Sequence, residues 1–297
     1  MGFIDLHLHS CCSDGILTPA QVVLASREAG VRTIALCDHD TIAGVADALR
    51  AGVAAGVTVL PGIELSVAFH EYQDVHLLGY GIDTASPELL TQLNAFATRR
   101  ADRNREIVEA VNSRLSSQGH SPLFVSEVEA LAGGVIGRPH IARALMARGY
   151  VTNMQQAFEQ YLVPCNVPKY YWQMAEALST IRRLGGVAVL AHPTTITQEH
   201  QVLGELISEL QSIGLDGVEV YNALASEADM LFLQGVARRL NLLVTGGSDF
   251  HGTNPEERIG KGRGGIRFSD ALLPPLMTLT AQRAAITETS LPQHLSL

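Results

Sequence analysis

Short runs of aliphatic and β-branched residues alternate along this chain with segments whose apolar positions recur every three or four residues. Runs of the first kind read as buried strands and segments of the second as amphipathic helices. Their alternation is the pattern of βα units around a largely parallel sheet. The predicted strands are FIDLHLH, TIALCD, TVLPGIEL, DVHLLGY, VAVLAH, GVEVYN and LLVTGGSD. Between the first two, TPAQVVLASREAG carries Thr18 as N-cap, Pro19 at the first helical position and Gly30 as a stop. After the second, Thr41 is placed to cap a helix reaching about Gly56. Seven or eight such strands over about 250 residues predict a TIM-like α/β barrel in preference to an open sheet.

The alternation breaks near residue 86. SPELLTQLNAFATRRADRNREIVEAVNSRLSSQG reads as one long polar helix, with Ser86 as cap, Pro87 inside it and Gly119 ending it. Further short helices are expected to about residue 172, and strands resume at LGGVAVLAH. The prediction is a discontinuous barrel, 1–97 and 173–297, interrupted by a helical insertion at 98–172.

Composition narrows the class. The 46% apolar and 17% charged fractions describe a globular enzyme, and no run of about 18 apolar residues suggests a membrane partner. No secretory signal is read ahead of the first strand, so the cytoplasm is the expected address. Cys11, Cys12, Cys37 and Cys165 have neither metal-finger nor disulfide spacing. The adjacent pair Cys11–Cys12 is a soft-metal or redox candidate, set aside because the ligands around it are hard oxygens and imidazoles. The net charge of −9 argues against a stable, nonspecific nucleic-acid complex. That charge is uneven: residues 98–172 hold nine Arg or Lys against six Asp or Glu.

The candidate chemistry lies at strand ends. His7 and His9 close the first predicted strand, Asp38, His39 and Asp40 the second, and Glu64 the third. His192 closes the resumed strand, and Asp249 with His251 the last. In α/β barrels the carboxyl ends of the strands converge on one face, so residues distant in sequence are predicted to meet. His7 and His9, two apart in an extended chain, point the same way. A lone histidine after a strand is usually structural, but this many imidazoles beside carboxylates are costly to bury without a divalent ion. The absence of thiolate favours Mn²⁺, Zn²⁺, Fe²⁺ or Mg²⁺, and the donors are too many for one ion. Such arrays suit phosphoester hydrolysis.

The motifs DLHLHS…SDG, ALCDHD, PGIELS, LAHP and GGSDFH, in that order, resemble the signature set of the PHP (polymerase and histidinol phosphatase) superfamily. The resemblance implies a distorted (β/α)₇ barrel with three divalent ions, Mn²⁺ first among the candidates. It implies one ion on His7, His9, Glu64 and Asp249. A second would share Glu64 and take His76 and His192, and a third would take Asp14, His39 and His251. His76 is the least secure, since it lies inside its strand. The string GRPHIARAL and the insertion resemble the branch of nucleoside 3′,5′-bisphosphate phosphatases and related 5′→3′ exoribonucleases.

That resemblance gives the basic insertion a use. Arg138 and His140 are candidates for gripping a substrate phosphate that is not cleaved, Arg being suited to bidentate phosphate binding. Lys169, beside Tyr170, Tyr171 and Trp172, is a further candidate, with packing the favoured reading for the aromatics. Arg99, Arg100, Arg103 and Arg105 read as a solvated helix face. Asn222 is placed to touch substrate or to brace the site. Asp40 and His140 are the candidate general acids. His70, His120, His200 and His294 read as surface residues.

The expected activity is hydrolysis of the 3′-phosphate of a nucleoside 3′,5′-bisphosphate. The alternatives are 5′→3′ exoribonuclease action on short 5′-phosphorylated RNA and histidinol-phosphate hydrolysis. A metal-binding regulatory module without turnover is a further reading, from a different class.

Overall fold

The computed structural model describes residues 2–132 and 137–290. The strands are β1 (Phe3–Leu8), β2 (Val31–Leu36), β3 (Thr58–Phe69), β4 (Tyr72–Tyr80), β5 (Trp172–Gln173), β6 (Val187–Leu190), β7 (Gly217–Tyr221), β8 (Leu243–Gly246) and β9 (Phe268–Ser269). The helices are α1 (Pro19–Glu28), α2 (Val45–Ala55), α3 (Pro87–Ser117), α4 (Val125–Ala132), α5 (Arg138–Ala147), α6 (Met154–Ala157), α7 (Met174–Arg183), α8 (His200–Ser212), α9 (Glu227–Leu240) and α10 (Leu273–Ser290). The chain forms two compact units, residues 1–90 with 171–297, and Thr91–Tyr170.

The first unit is a distorted, nearly closed TIM-like barrel. Its strands follow the order β8–β7–β6–β4–β3–β2–β1–β9, with β5 beside β3. Beyond β8 the chain rejoins β1, where the Asp249 N–H donates to the His7 carbonyl at 2.9 Å and the His9 N–H to the Phe250 carbonyl at 3.0 Å. Gly247 allows this close approach, since a Cβ there would lie 2.2 Å from that of His7.

All seven predicted strands are present, but β4 runs antiparallel to both its neighbours, β3 and β6. The reason is local. β3 and β4 are joined by a hairpin turn at His70–Glu71, and two strands so connected must be antiparallel. Ile4, Leu6, Leu78, Tyr80, Val187, Val189 and Phe268 pack into one buried cluster of this unit. Val22, Val23, Ile34, Leu36 and Val59 form another, joining α1 and α2 to the sheet.

Local signals held in most places. Thr18 caps α1 through a reciprocal box with Gln21, Pro19 opens the helix, and Gly30 follows with φ 74°. Thr41 does not cap α2. That helix starts at Val45 behind Gly44, while Thr41 Oγ1 accepts from the Ala43 N–H. The backbone just before it is committed to the sheet, with the Asp40 N–H donating to the Glu64 carbonyl.

The second unit has its own core. Ile107, Val111 and Leu115 recur every fourth residue along α3, giving one apolar stripe. They pack with Val128, Ile141, Leu145, Tyr161 and Leu162, all buried. Trp172, read from sequence as part of the insertion, belongs to the barrel unit instead: it is buried and pairs with Val67 as a strand residue.

Candidate metal centre

Glu64, at 0% exposure on β3, is the hub of the site. Its Oε2 lies 3.2 Å from His7 Nε2, 3.2 Å from His9 Nε2 and 3.1 Å from His39 Nδ1. Its Oε1 lies 3.0 Å from His76 Nδ1 and 3.2 Å from His192 Nε2, and those two nitrogens are 3.2 Å apart. Asp249 Oδ1 sits 3.4 Å from His7 Nε2 and 3.1 Å from His9 Nε2. Asp14 Oδ1 sits 3.2 Å from His251 Nε2, and Oδ2 3.7 Å from His39 Nε2. All nine residues singled out from sequence as ligands thus converge.

Three groups have donor atoms within 4.8 Å of one another: His7, His9, Glu64 and Asp249; His9, Asp14, His39 and His251; and His39, Glu64 and His76. These groups depart from the expected sets: His9 reaches two groups, His39 takes the place expected for His192 beside Glu64 and His76, and His192 falls outside all three although its Nε2 lies 3.2 Å from Glu64 Oε1. His76 is explained by the reversed strand. Because β4 is antiparallel, Ser66 pairs with His76, so a residue in the middle of β4 lies beside the carboxyl half of β3. The Ala191 N–H then donates to the His76 carbonyl, bringing His192 alongside.

The donor set fits cations. His7 Nε2, both ring nitrogens of His9, His39 Nδ1, Glu64 Oε2 and Asp249 Oδ1 are buried without any hydrogen bond. Buried polar atoms are rarely left so, because desolvation costs about 1–3 kcal/mol each. Three imidazoles also have their orientation fixed by the other nitrogen. His7 Nδ1 donates to Glu219 at 3.0 Å and His251 Nδ1 to the Asp249 carbonyl at 2.9 Å. The Thr195 hydroxyl donates to the His192 carbonyl, so its oxygen accepts from His192 Nδ1 at 3.1 Å. Each Nε2 lone pair is thereby aimed into the cluster, an arrangement typical of metal-ligating histidine.

Electrostatics agree. Burial opposes charge on His7 and His9, yet the surrounding carboxylates raise both, His7 through Glu64, Glu219 and Asp249, and His9 to about 10 through Asp249 and Glu64. His39 is pushed down by burial. Burial opposes the charged carboxylates too, but neighbouring imidazoles hold Glu64, Asp249 and Asp14 well below their ordinary range. Protons on imidazole are one way to compensate this concentration of negative charge. A divalent ion is another, and it binds the neutral ring.

Backbone strain gathers here as well. Among the described residues six non-glycine positions have positive φ, and three of them, Asp40 (52°), His192 (25°) and Asp249 (54°), are in this site. Such conformations cost about 1–3 kcal/mol each and tend to persist at functional positions.

Several supporting residues were not singled out from sequence. Glu219, in the middle of β7, is fully buried against His7 and His192. Asp5 accepts from the backbone N–H of Ser248 and Gly260 and from the Ser248 hydroxyl, and burial raises it to about 6. Glu257 accepts from the His251 and Gly252 N–H groups. An acid inside an otherwise apolar strand, as in FIDLHL and GVEVY, is the signal that was available. Asp38 turns out to brace the 10–15 loop through Ser10 and Ser13.

The remaining candidates are placed as follows. Asp40 Oδ1 accepts from the Ser66 N–H at 3.0 Å. Asn222 is buried, with Oδ1 accepting from the Leu224 and Ala225 N–H groups, so its carboxamide braces a turn. Within the helical unit, His140 Nδ1 accepts from the Gly137 N–H at 2.9 Å and so caps α5. Arg138 donates to Asn166 at 3.3 Å and Lys169 is half-buried. Arg99 and Arg103 are more than a solvated face: Arg99 lies 4.0 Å over the Tyr170 ring, and Arg103 donates to the Val167 carbonyl at 2.7 Å.

His70 is exposed and paired with Glu209, His200 is half-buried, paired with Asp229 and stacked on the Phe232 ring, and His120 is exposed beside the Tyr150 ring. His294 lies outside the described residues. The cysteines are free thiols, and burial pushes the Cys12 thiol up, away from a thiolate ligand. Among the described residues no helix is long and apolar enough to cross a membrane.

A family model described as PHP domain matches residues 5–171. The chain is 34% identical over 255 residues to the 3′,5′-nucleoside bisphosphate phosphatase of Chromobacterium violaceum, covering 84% of this chain and 88% of the relative. It is 33% identical over 250 residues to a 5′-3′ exoribonuclease of Haemophilus influenzae, covering 83% and 89%. Among solved structures, a protein of Bifidobacterium adolescentis assigned as a metal-dependent phosphoesterase superposes with a TM-score of 0.79 at 28% identity, covering 94% of this chain and 96% of that one.

Proposed function

Because the chain belongs to the PHP domain family, we propose that it is a metal-dependent phosphoester hydrolase that removes the 3′-phosphate from nucleoside 3′,5′-bisphosphates, such as adenosine 3′,5′-bisphosphate. The observation that carries this reading is the convergence of nine His, Asp and Glu side chains, Glu64 at their centre, with several buried lone pairs that meet no hydrogen. Three divalent ions, Mn²⁺ by preference, would be held by His7, His9, Glu64 and Asp249, by Glu64, His76 and His192, and by Asp14, His39 and His251. Bound there, such ions polarise a phosphoryl oxygen, lower the pKa of a bound water and stabilise the leaving oxygen.

The chain's own polar groups carry the rest. Arg138, His140 and Lys169 take the phosphate that is not cleaved, an assignment resting on their chemistry and on the resemblance of GRPHIARAL. Asp40, fixed through its Oδ1 to the Ser66 N–H, and His140 are the candidate proton donors to the leaving oxygen. The substrate is a small nucleotide or a short oligonucleotide, with no stable nucleic-acid complex. The free thiols accord with a reducing, cytoplasmic setting.

The exoribonuclease reading is the second one, favoured by the 33% identity to a relative of that name. One comparison separates them: Mn²⁺-loaded protein with adenosine 3′,5′-bisphosphate, a 5′-phosphorylated trinucleotide and histidinol phosphate under identical conditions. The expected result is highest kcat/KM on the bisphosphate, releasing AMP and phosphate. Stepwise mononucleotide release from the trinucleotide at higher efficiency would replace the proposal with the exoribonuclease.

A further inference from the structure

The supporting carboxylates behind the cluster are not equivalent. Asp5 and Asp38 bind only backbone and serine hydroxyl groups. Glu219 alone among these three touches the ligand rings. Its Oε1 accepts from His7 Nδ1 at 3.0 Å and its Oε2 from the backbone N–H of His192 at 2.9 Å. It is fully buried on β7, between the segments that carry the two histidines.

The two contacts do different things. A carboxylate can only accept, so the first requires a proton on His7 Nδ1 and leaves the Nε2 lone pair facing Glu64 and Asp249. The second holds the His192 peptide in its positive-φ conformation, 25°, which directs Nε2 at Glu64 Oε1 and His76. In the ion sets that the resemblance implies, His7 and His192 serve different ions.

We propose that Glu219 is a positioning residue that sets His7 and His192 together, so that the ions on His7 and on His192 depend on one buried carboxylate while the ion on Asp14, His39 and His251 does not. This rests on the metal reading above. Glutamine at this position has the same shape but one acceptor, so it cannot receive both N–H groups. One of them must face the amide NH₂, and if that is His7 its ring has to protonate Nε2 or turn away.

The test is Glu219→Gln, with Glu219→Ala as a second variant and circular dichroism to establish that each is folded. Mn²⁺ titration calorimetry, with anomalous diffraction at the manganese edge, reads affinity and occupancy position by position in the wild type and variants. In Glu219→Gln, affinity at the His7 and His192 positions should fall about 10–100-fold, the usual effect of removing an orienting partner, while the Asp14/His39/His251 position keeps full occupancy. Wild-type occupancy unchanged at all three positions in both variants would overturn the inference and leave the metal reading intact. An equal loss at all three positions would also overturn it, since that reports general loosening. A wild type that binds no Mn²⁺ would sink the metal reading and this inference with it.

Discussion

In the barrel unit the candidate ligands converge in a largely buried cluster, whereas in the helical unit Arg99, Arg103 and His140 contact that unit's own backbone and rings. Around Glu64, six imidazoles and two further carboxylates gather, several of their lone pairs unsatisfied. In the helical unit, Arg103 is tied to the Val167 carbonyl, Arg99 stacks on Tyr170 and His140 caps a helix. Local packing accounts for these three contacts. It does not explain the gathering around Glu64, because such a cluster is unfavourable until something cationic shares it. The contrast separates what fold stability alone would retain from what chemistry requires.

Three experiments press on that contrast, the largest effect first. Glu64→Gln keeps the side chain's volume and removes the charge shared by the sets. Bound Mn²⁺ should fall to about one ion per chain or fewer by elemental analysis, and kcat/KM should fall on the order of 10³-fold or more, the several kcal/mol a metal array supplies. Retention of both metal and activity would mean the cluster is structural. Leu145→Ala removes a fully buried side chain from the helical core. It should cost about 2–5 kcal/mol, seen as earlier hydrogen exchange in residues 91–170, while Mn²⁺ affinity stays put; a parallel loss of metal would show that the two units are not separable. Arg138→Ala should lower kcat/KM on the bisphosphate by about 10–100-fold, the worth of a charge-assisted hydrogen bond. Activity on an aryl phosphate should be unchanged, and equal losses on both would return Arg138 to the surface role its contact with Asn166 suggests.

Legibility in the sequence followed the same division. Strand ends that carry two or three chemical residues, such as DLHLHS and GGSDFH, could be read because hydrophobic alternation locates the strand and the polar break locates its end. The direction of β4 could not, since a two-residue turn at His70–Glu71 has no Asn-Gly or Asp-Gly signal and the run looks like any other buried strand. β5 and β9, two residues each, are too short to show a period. Thr41 has the chemistry of a cap, but its stretch of backbone is held by Glu64, a contact distant in sequence. Glu219 was in view within GVEVYN, yet its two partners come from β1 and from the segment after β6, and no local pattern records them. Arg138 and Lys169 are the opposite case: their charge makes them conspicuous in the sequence, and Arg138 meets Asn166 in the structure.

The β3–β4 hairpin also fixes where this chain can change length. Glu64 and His76 are diagonal neighbours on one face of the antiparallel β3–β4 pair, with Ser66 opposite His76 and Leu78 opposite Glu64. A single residue gained or lost at the 70–71 turn would shift the register by one and carry His76 to the other face. The loops behind α1 and α2 have no such arithmetic, because a helix lies between the strands they connect. Descendants of this sequence are therefore free to lengthen around the rim of the barrel and bound to conserve length at this one turn.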